Sequence, residues 1–500
     1  MMGAPVELQS RVPDETSELS MIVEKRCTSL LAGLRRLARI GALITAAVGI
    51  GAGIAPASAG TLVVTNLGNA GAGSLRQALV SADPGDTITF APELSGPIIL
   101  GSALVVSIDN LTILGRPDIA LDGNNAVQVL SLSAGVTVHL DSVVIQHGSS
   151  DYGGGILANG NLILTNCFVR NNHATNFGGG LLVQGPLASF TLINTFVIDN
   201  QSDDLAGGIY DAAGIASSIT GSEIDGNISG GAGAGVYHDS PQTLTIDHSA
   251  ISGNQVTNEV PSDGGGIASL GGTVDITYST ISANKAQIAG GIFAMDSTLN
   301  LTASLVAGNT AILDGGGIFV YGGILHGTNS TIAENVSALG AGGGISLQNS
   351  PLNNAAVTLL NSTVAFNRSA TNGGGITLTS GKVTLGSTVI GSNVSPTNPD
   401  LQAAFVTLGL NLVKVRGTSS GYAGSDLPDG ADPMFAPLSY NGGPTATLRL
   451  KAGSAAIGAI SAAKCAPLDQ RGYRRLGGSC DIGAFESDGI GDTVFANGFD

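Results

Sequence analysis

The chain has 500 residues, 75 of them glycine and none tryptophan, with 11% charged residues, 4% aromatic residues and a formal net charge of −17. Glycine is at roughly twice ordinary usage and charged residues at under half, yet 43% of residues are hydrophobic, which argues against a disordered chain. The acidic balance argues against nucleic acid as a partner and against anionic membrane surfaces, because both call for a basic face.

The N-terminus predicts an export signal over residues 1–59. Arg35, Arg36 and Arg39 form a basic start, residues 40–54 an apolar stretch of fifteen, and Ala57-Ser58-Ala59 a small-residue cleavage site with cleavage between Ala59 and Gly60. The competing reading is a membrane anchor, for which the stretch is short and glycine-rich against the ~20 residues a span needs. Met21 offers an alternative start. No spanning segment is expected in the mature chain.

Residues 60–135 are expected to form an N-terminal cap and the first coils. A strand-like run (61–66) precedes Ser74-Leu75-Arg76-Gln77-Ala78-Leu79, a short amphipathic helix with Ser74 and Gln77 spaced as a capping box. Strand-like segments follow at 87–90 and 111–114. The helix is expected to plug the end of the core, since a solenoid needs its ends closed.

Residues 136–400 are built on two repeats in register. GGGI or a close variant recurs, its aliphatic residues being Ile156, Leu181, Ile209, Val236, Ile267, Ile292, Ile318, Ile345 and Ile376, 25 to 31 residues apart. S-T-I-x-x-N keeps step with it, and its Asn is assigned to Asn171, Asn200, Asn227, Asn254, Asn284, Asn309, Asn335 and Asn367, with His147 in the slot before and Ser392 in the slot after. No 3.6-residue periodicity is visible. Short alternating runs such as Thr273-Val274-Asp275-Ile276-Thr277 are separated by Gly and Asn turns. A period of about 27 residues suits one coil of three short strands, each pairing in parallel with the coils ~4.8 Å away. The fold expected is all-β, a right-handed parallel β-helix of ten or more coils. The Asn column is expected to form a structural ladder through turn backbone groups. It also creates N-x-S/T sequons at Asn227, Asn335, Asn367 and Asn393, so glycosylation competes with the ladder there.

Region 401–486 and a tail, 487–500, complete the chain. VTNLGNAGAGSLRQAL (64–79) followed by DTITF (86–90) resembles the opening of secreted bacterial β-helix proteins with a CSLREA-type N-terminus. The paired repeats are similar to those of polymorphic outer membrane proteins. Asn441-Gly442-Gly443-Pro444-Thr445, GSAAIGA (453–459) and DQRGYRRLGGSCDIGAFE (469–486) resemble the choice-of-anchor Q domain. Gly458, where that family usually has Asp, and Leu476, where Pro often follows Arg, depart from its pattern. The last ten residues resemble a tail found on secreted proteobacterial proteins. These resemblances imply secretion or display at the surface of a Gram-negative bacterium, and say little about a reaction.

Cys27 would leave with the signal. Cys465 and Cys480, 15 apart, fit a disulfide, and Cys167 reads as a small buried hydrophobe. Between 150 and 395 the only basic residues are Arg170, Lys285, Arg368 and Lys382, and the only adjacent carboxylates are Asp203-Asp204. That is a poor supply for a polysaccharide lyase or hydrolase, which needs a base, cationic groups or paired acids. His147 and His326 carry no motif. Asp151, Asp204, Asp263 and Asp314 precede the glycine turns and are candidate calcium ligands, against a simpler reading as a solvated acidic edge. Tyr152, Phe177, Tyr210, Tyr237, Phe293, Phe319 and Tyr321 cluster beside those turns. Exposure would suit sugar stacking, and burial core filling. The function expected is that of a non-catalytic, monomeric secreted or cell-surface protein acting in adhesion or polysaccharide binding, with extracellular polysaccharide or a host or cell-surface component as partner. The alternative is a lyase or hydrolase of acidic polysaccharide. No cofactor is expected beyond the calcium candidates.

Overall fold

A computed structural model describes residues 59–258, 262–475 and 478–487. The export segment before Ala59 and all but the first residue of the 487–500 tail lie outside them. The described chain winds into an all-β, right-handed parallel solenoid of about 13 turns.

One coil shows the plan. Thr273–Thr277 belongs to a first sheet of 14 strands, Thr280–Ser282 to a second of 13, Lys285–Ala286 to a third of nine, and Ile292–Met295 to a fourth of 12. Each strand pairs in parallel with its equivalents one coil before and after, as in Ile246↔Ile276↔Leu301 and Ile251↔Ile281↔Val306. The expected three strands per coil are thus four through most of the helix. Two-residue strands such as Lys285–Ala286 fit between the Asn turn and the glycine turn. Period-2 alternation points every second residue inward, so Ile, Val and Leu stack in columns that are almost wholly buried. Each contributes roughly 1.5–3 kcal/mol by leaving water.

The corners repeat as well. Entering the second sheet, a left-handed residue (Asn194, His248, Tyr278, Ala303 or Asn329) precedes a buried hydroxyl (Thr195, Ser249, Ser279, Ser304 or Ser330). These hydroxyls form a ladder that the sequence reading missed. The Ser279 Oγ accepts the Ser249 N–H and donates to the Thr277 carbonyl, and the step recurs on Ser304 and Ser330. Cys167 holds the same slot. Its Sγ donates to the Thr165 carbonyl, its N–H donates to the Thr195 Oγ1, and burial pushes its thiol up to about 11.

Entering the third sheet, a left-handed residue again precedes a ladder residue. Here the Asn column needs correcting at both ends. Asn171 (φ 53°), His147 (φ 51°) and Ser392 (φ 62°) are the left-handed turn residues, and the ladder residues are Asn172 and Asn393. From Asn172 to Asn393, each Oδ1 accepts hydrogen bonds from the N–H and, beyond Asn172, the Nδ2 of the preceding ladder residue. Each Nδ2 donates onward to the next coil and back to a carbonyl. At the end Asn393 donates twice to the Oδ1 of Asp400, whose Oδ2 accepts the Val415 N–H. The hydroxyl ladder likewise ends with Asn411 on Asp426. A carboxylate suits a terminus because it accepts without needing an onward partner. The sequon asparagines Asn227, Asn335, Asn367 and Asn393 are all buried within this ladder.

The helix α1 (Leu75–Ser81) closes the N-terminal end, with Leu75, Ala78 and Leu79 in the core. Ser74 caps it by accepting from the Gln77 N–H. The reciprocal half of a capping box is absent, because the Gln77 Nε2 donates to Ser81. At the other end residues 403–426 fold over the last coil, and the chain then doubles back along the outside of the second sheet. Phe435, Leu448, Ile460, Cys480 and Ile482 cover Ala333, Ala365 and Val389, while Ala446 packs on Leu305 and Ala307. The Gln470 Nε2 donates to Thr445, its Oε1 accepts from Thr331, and the Ala484 N–H donates to Thr363. Cys465 and Cys480 form a disulfide. Buried pairs Asp469–Arg471 (2.7 Å) and Arg475–Glu486 (3.0 Å) lock this segment.

Candidate functional site

The returning segment covers only part of the second sheet. From Gln146 to Ser282 its outward side chains stay partly exposed. Register sets them in two columns: Phe168, Phe196, Glu223, Ala250 and Thr280 in one, and Gln146, Arg170, Ile198, Asp225, Ser252 and Ser282 in the other.

At the N-terminal end of this open face four polar residues meet. The Asp122 Oδ2 accepts from the Gln146 Nε2 and the His147 Nδ1, both at 2.9 Å, and its Oδ1 accepts the Asn124 N–H. Burial works to raise the Asp122 pKa, but these hydrogen bonds outweigh it and hold the carboxyl below its ordinary value. With its Nε2 committed to Asp122, Gln146 turns its Oε1 to Arg170, which donates from Nε (3.2 Å) and Nη2 (3.0 Å). The guanidinium is thereby held in place while making no ion pair among the described residues. Beside it the Phe168 and Phe196 rings stack with centroids 4.8 Å apart and planes 7° from parallel. A flat apolar platform flanked by a fixed cation, an imidazole and carboxylates can hold a sugar ring by its C–H face and its polar substituents.

The sequence offered no motif at His147 and no partner for Arg170. The structure gives His147 a partner in Asp122 and links Arg170 to that carboxylate only through Gln146, because Asp122, Gln146 and Arg170 lie in one column, 24 residues apart. That one-period spacing was the available signal. Of the other basic residues, Lys285 and Arg368 lie on the third sheet and Lys382 on the first.

The aromatic residues beside the glycine turns are largely buried, but those of the fourth sheet occupy its outward positions, outside the core columns. Tyr210 and Tyr237 are 7% and 1% exposed, Phe293 and Phe319 4% and 2%, and only Tyr152 keeps 43%. The Tyr152, Phe177, Tyr210 and Tyr237 rings form one continuous series, at 5.0 to 5.6 Å between successive centroids. Burial, reinforced by nearby carboxylates, pushes the Tyr210 and Tyr237 hydroxyls well above their ordinary range.

The four calcium candidates are not brought together. Asp151 accepts from Thr175, and Asp314 from the Ala341 N–H. Asp204 and Asp263 approach Tyr237 in company with Asp239. No group of three or more His, Cys, Asp or Glu side chains arranged to hold a metal occurs among the described residues.

Fold and face together define the protein as a parallel β-helix with an open, partly aromatic side. No family model and no curated protein matches the chain. Among solved structures it is similar to that of pectate lyase Pel9A, at 16% identity, 86% coverage of this chain, 97% of that chain and a TM-score of 0.39.

Proposed function

We propose that this is an exported β-helix protein that binds polysaccharide, without turning it over, along the open stretch of its second sheet. The observation that carries the reading is the stacked Phe168–Phe196 platform beside the Asp122–Gln146–Arg170 network. A solenoid sets such groups on a rigid, linear surface, which matches a linear ligand. The disulfide supports an oxidising compartment, as does the basic, apolar and small-residue series of 35–60. The resemblance of 401–486 to the choice-of-anchor Q domain supports display at a surface.

The test is retention of the protein on a panel of immobilised polysaccharides, beside an assay for reducing ends and unsaturated products. Retention without turnover is expected, and Phe168→Ala with Phe196→Ala should weaken it about tenfold. Released unsaturated sugar would move the assignment to a lyase.

A further inference from the structure

The charge along the open face points to a narrower ligand class, and this inference rests on the binding reading above. We infer that the face takes a sparsely acidic glycan, with one anionic sugar at Arg170 followed by at least two neutral ones.

Three zones lie along the axis. Arg170 comes first. Its guanidinium is held on Gln146 and paired with no carboxylate among the described residues. Such a fixed fork favours a carboxylate or sulfate through charge-assisted hydrogen bonds. The Phe168–Phe196 platform begins beside it on the same strand and extends one coil further, offering apolar contact and no charge. One coil past Phe196 stands Glu223, with Asp225 beside it, both half-buried on the same side of the sheet. The Asp225 Oδ1 accepts from the Ser252 hydroxyl.

Coils repeat every ~4.8 Å, so Arg170 and Asp225, two coils apart, are separated by roughly two sugar rings. A polymer charged at every residue would seat one anion on Arg170 and force another against Glu223 and Asp225. Hydroxyls of a neutral sugar would instead donate to those carboxylates. The protein's net charge of −17 adds repulsion against densely charged polymers at low salt. A purely neutral glycan would leave Arg170 unanswered.

The experiment titrates the protein calorimetrically with three probes: neutral glucan oligosaccharides, oligogalacturonate, and oligosaccharides of gellan, whose repeat has one glucuronate among neutral sugars. Gellan fragments should bind about tenfold tighter than neutral glucan, and more tightly than oligogalacturonate. Arg170→Gln should remove the preference over neutral glucan. Glu223→Gln with Asp225→Asn should raise oligogalacturonate affinity severalfold. Circular dichroism would verify that each variant is folded. Equal binding of neutral glucan, unchanged in Arg170→Gln, would overturn the acidic class and leave polysaccharide binding standing. Oligogalacturonate binding tightest would overturn the sparse spacing. Failure of all three probes and of the immobilised panel would instead overturn the binding reading.

Discussion

Gly317 packs directly against Asn335: a β-carbon on Gly317 would stand 3.0 Å from the Asn335 amide carbon and nitrogen, and 2.6 Å from the Gly344 carbonyl oxygen. The third glycine of each glycine turn meets the ladder amide in the same way, as Gly208 does Asn227 and Gly291 does Asn309. This contact is why the two sequence repeats keep step. The ladder can run unbroken only where the turn beside it carries no side chain.

The three turn positions should therefore tolerate alanine unequally. Position one is left-handed, and Gly315 has φ 71° there, yet Ala206 and Ala289 occupy the equivalent sites at φ 58° and 55°. Ala289 even keeps the same type of neighbour, Phe293 for Phe319. Gly315→Ala should cost about 1 kcal/mol. Gly317→Ala must push the ladder or the next coil aside and should cost at least about 2–3 kcal/mol. Thermal melts of the two variants would show the order, and an equal loss in both would contradict the packing argument.

The ladder itself yields a directional prediction. Asn284→Ala removes the acceptor of the Asn254 N–H and Nδ2, and the donor to Asn309 and the Ile251 carbonyl. Each stranded buried group costs ~1–3 kcal/mol, so a loss of roughly 3–5 kcal/mol is expected. Asp400→Asn is a subtler change. Its oxygen can still receive Asn393, but its NH2 would then face the Val415 N–H, donor against donor. Hydrogen exchange should show the last coils opening first in Asp400→Asn, with the middle of the helix unchanged.

The helix was legible because each period carries two motifs, and each motif has a physical duty. The ladder was misread by one residue at its ends, where Asn171-Asn172 and Ser392-Asn393 each offer two polar candidates in succession. Only the backbone shows which of the pair is left-handed. The Arg170 network escaped for a different reason: Asp122, Gln146 and Arg170 share no motif, only a register. The doubled-back C-terminal segment did leave a trace. Ser252 and Ser282 in the outer column of the second sheet give way to Ala307, Ala333 and Ala365 where the face becomes covered.

Acidity should act unusually on stability. Burial raises the carboxyls of Asp239, Asp314, Asp400 and Glu486 above their ordinary values. Each folded-state pKa then exceeds the unfolded one, so the folded chain holds the proton more tightly and stability increases as pH falls through that window. Asp86, Asp118, Asp122 and Asp432 are lowered and act oppositely, losing stability below the ordinary carboxylate range. The melting temperature should rise as pH falls from neutral toward the ordinary carboxylate range and fall once pH passes below that range. Asp314→Asn keeps an oxygen for the Ala341 N–H and should flatten the rise. A melting temperature that declines steadily from pH 7 would refute the assignment.

A last prediction concerns a pair inside the core. In the inward column Val183, Asp211, His238, Ser269, Ala294, Val320, two coils carry a carboxylate and an imidazole where their neighbours are mostly apolar. The Asp211 Oδ2 lies 2.8 Å from the His238 Nδ1, and each side chain is 1% exposed. The Asp211 Oδ1 accepts the Ala213 N–H, and the His238 Nε2 faces the Gln242 carbonyl at 3.3 Å. Breaking such a pair from one side leaves a buried carboxyl without its partner, so His238→Ala alone should cost about 3–5 kcal/mol. Replacing both at once, Asp211→Val with His238→Ala, restores an apolar column like that around Val183 and Ala294, and should recover most of the loss. Hydrogen exchange over 209–213 and 236–238 would report the local effect even where the solenoid does not unfold as one unit. A double variant no more stable than His238→Ala would mean that the pair organises these coils through more than its own charges.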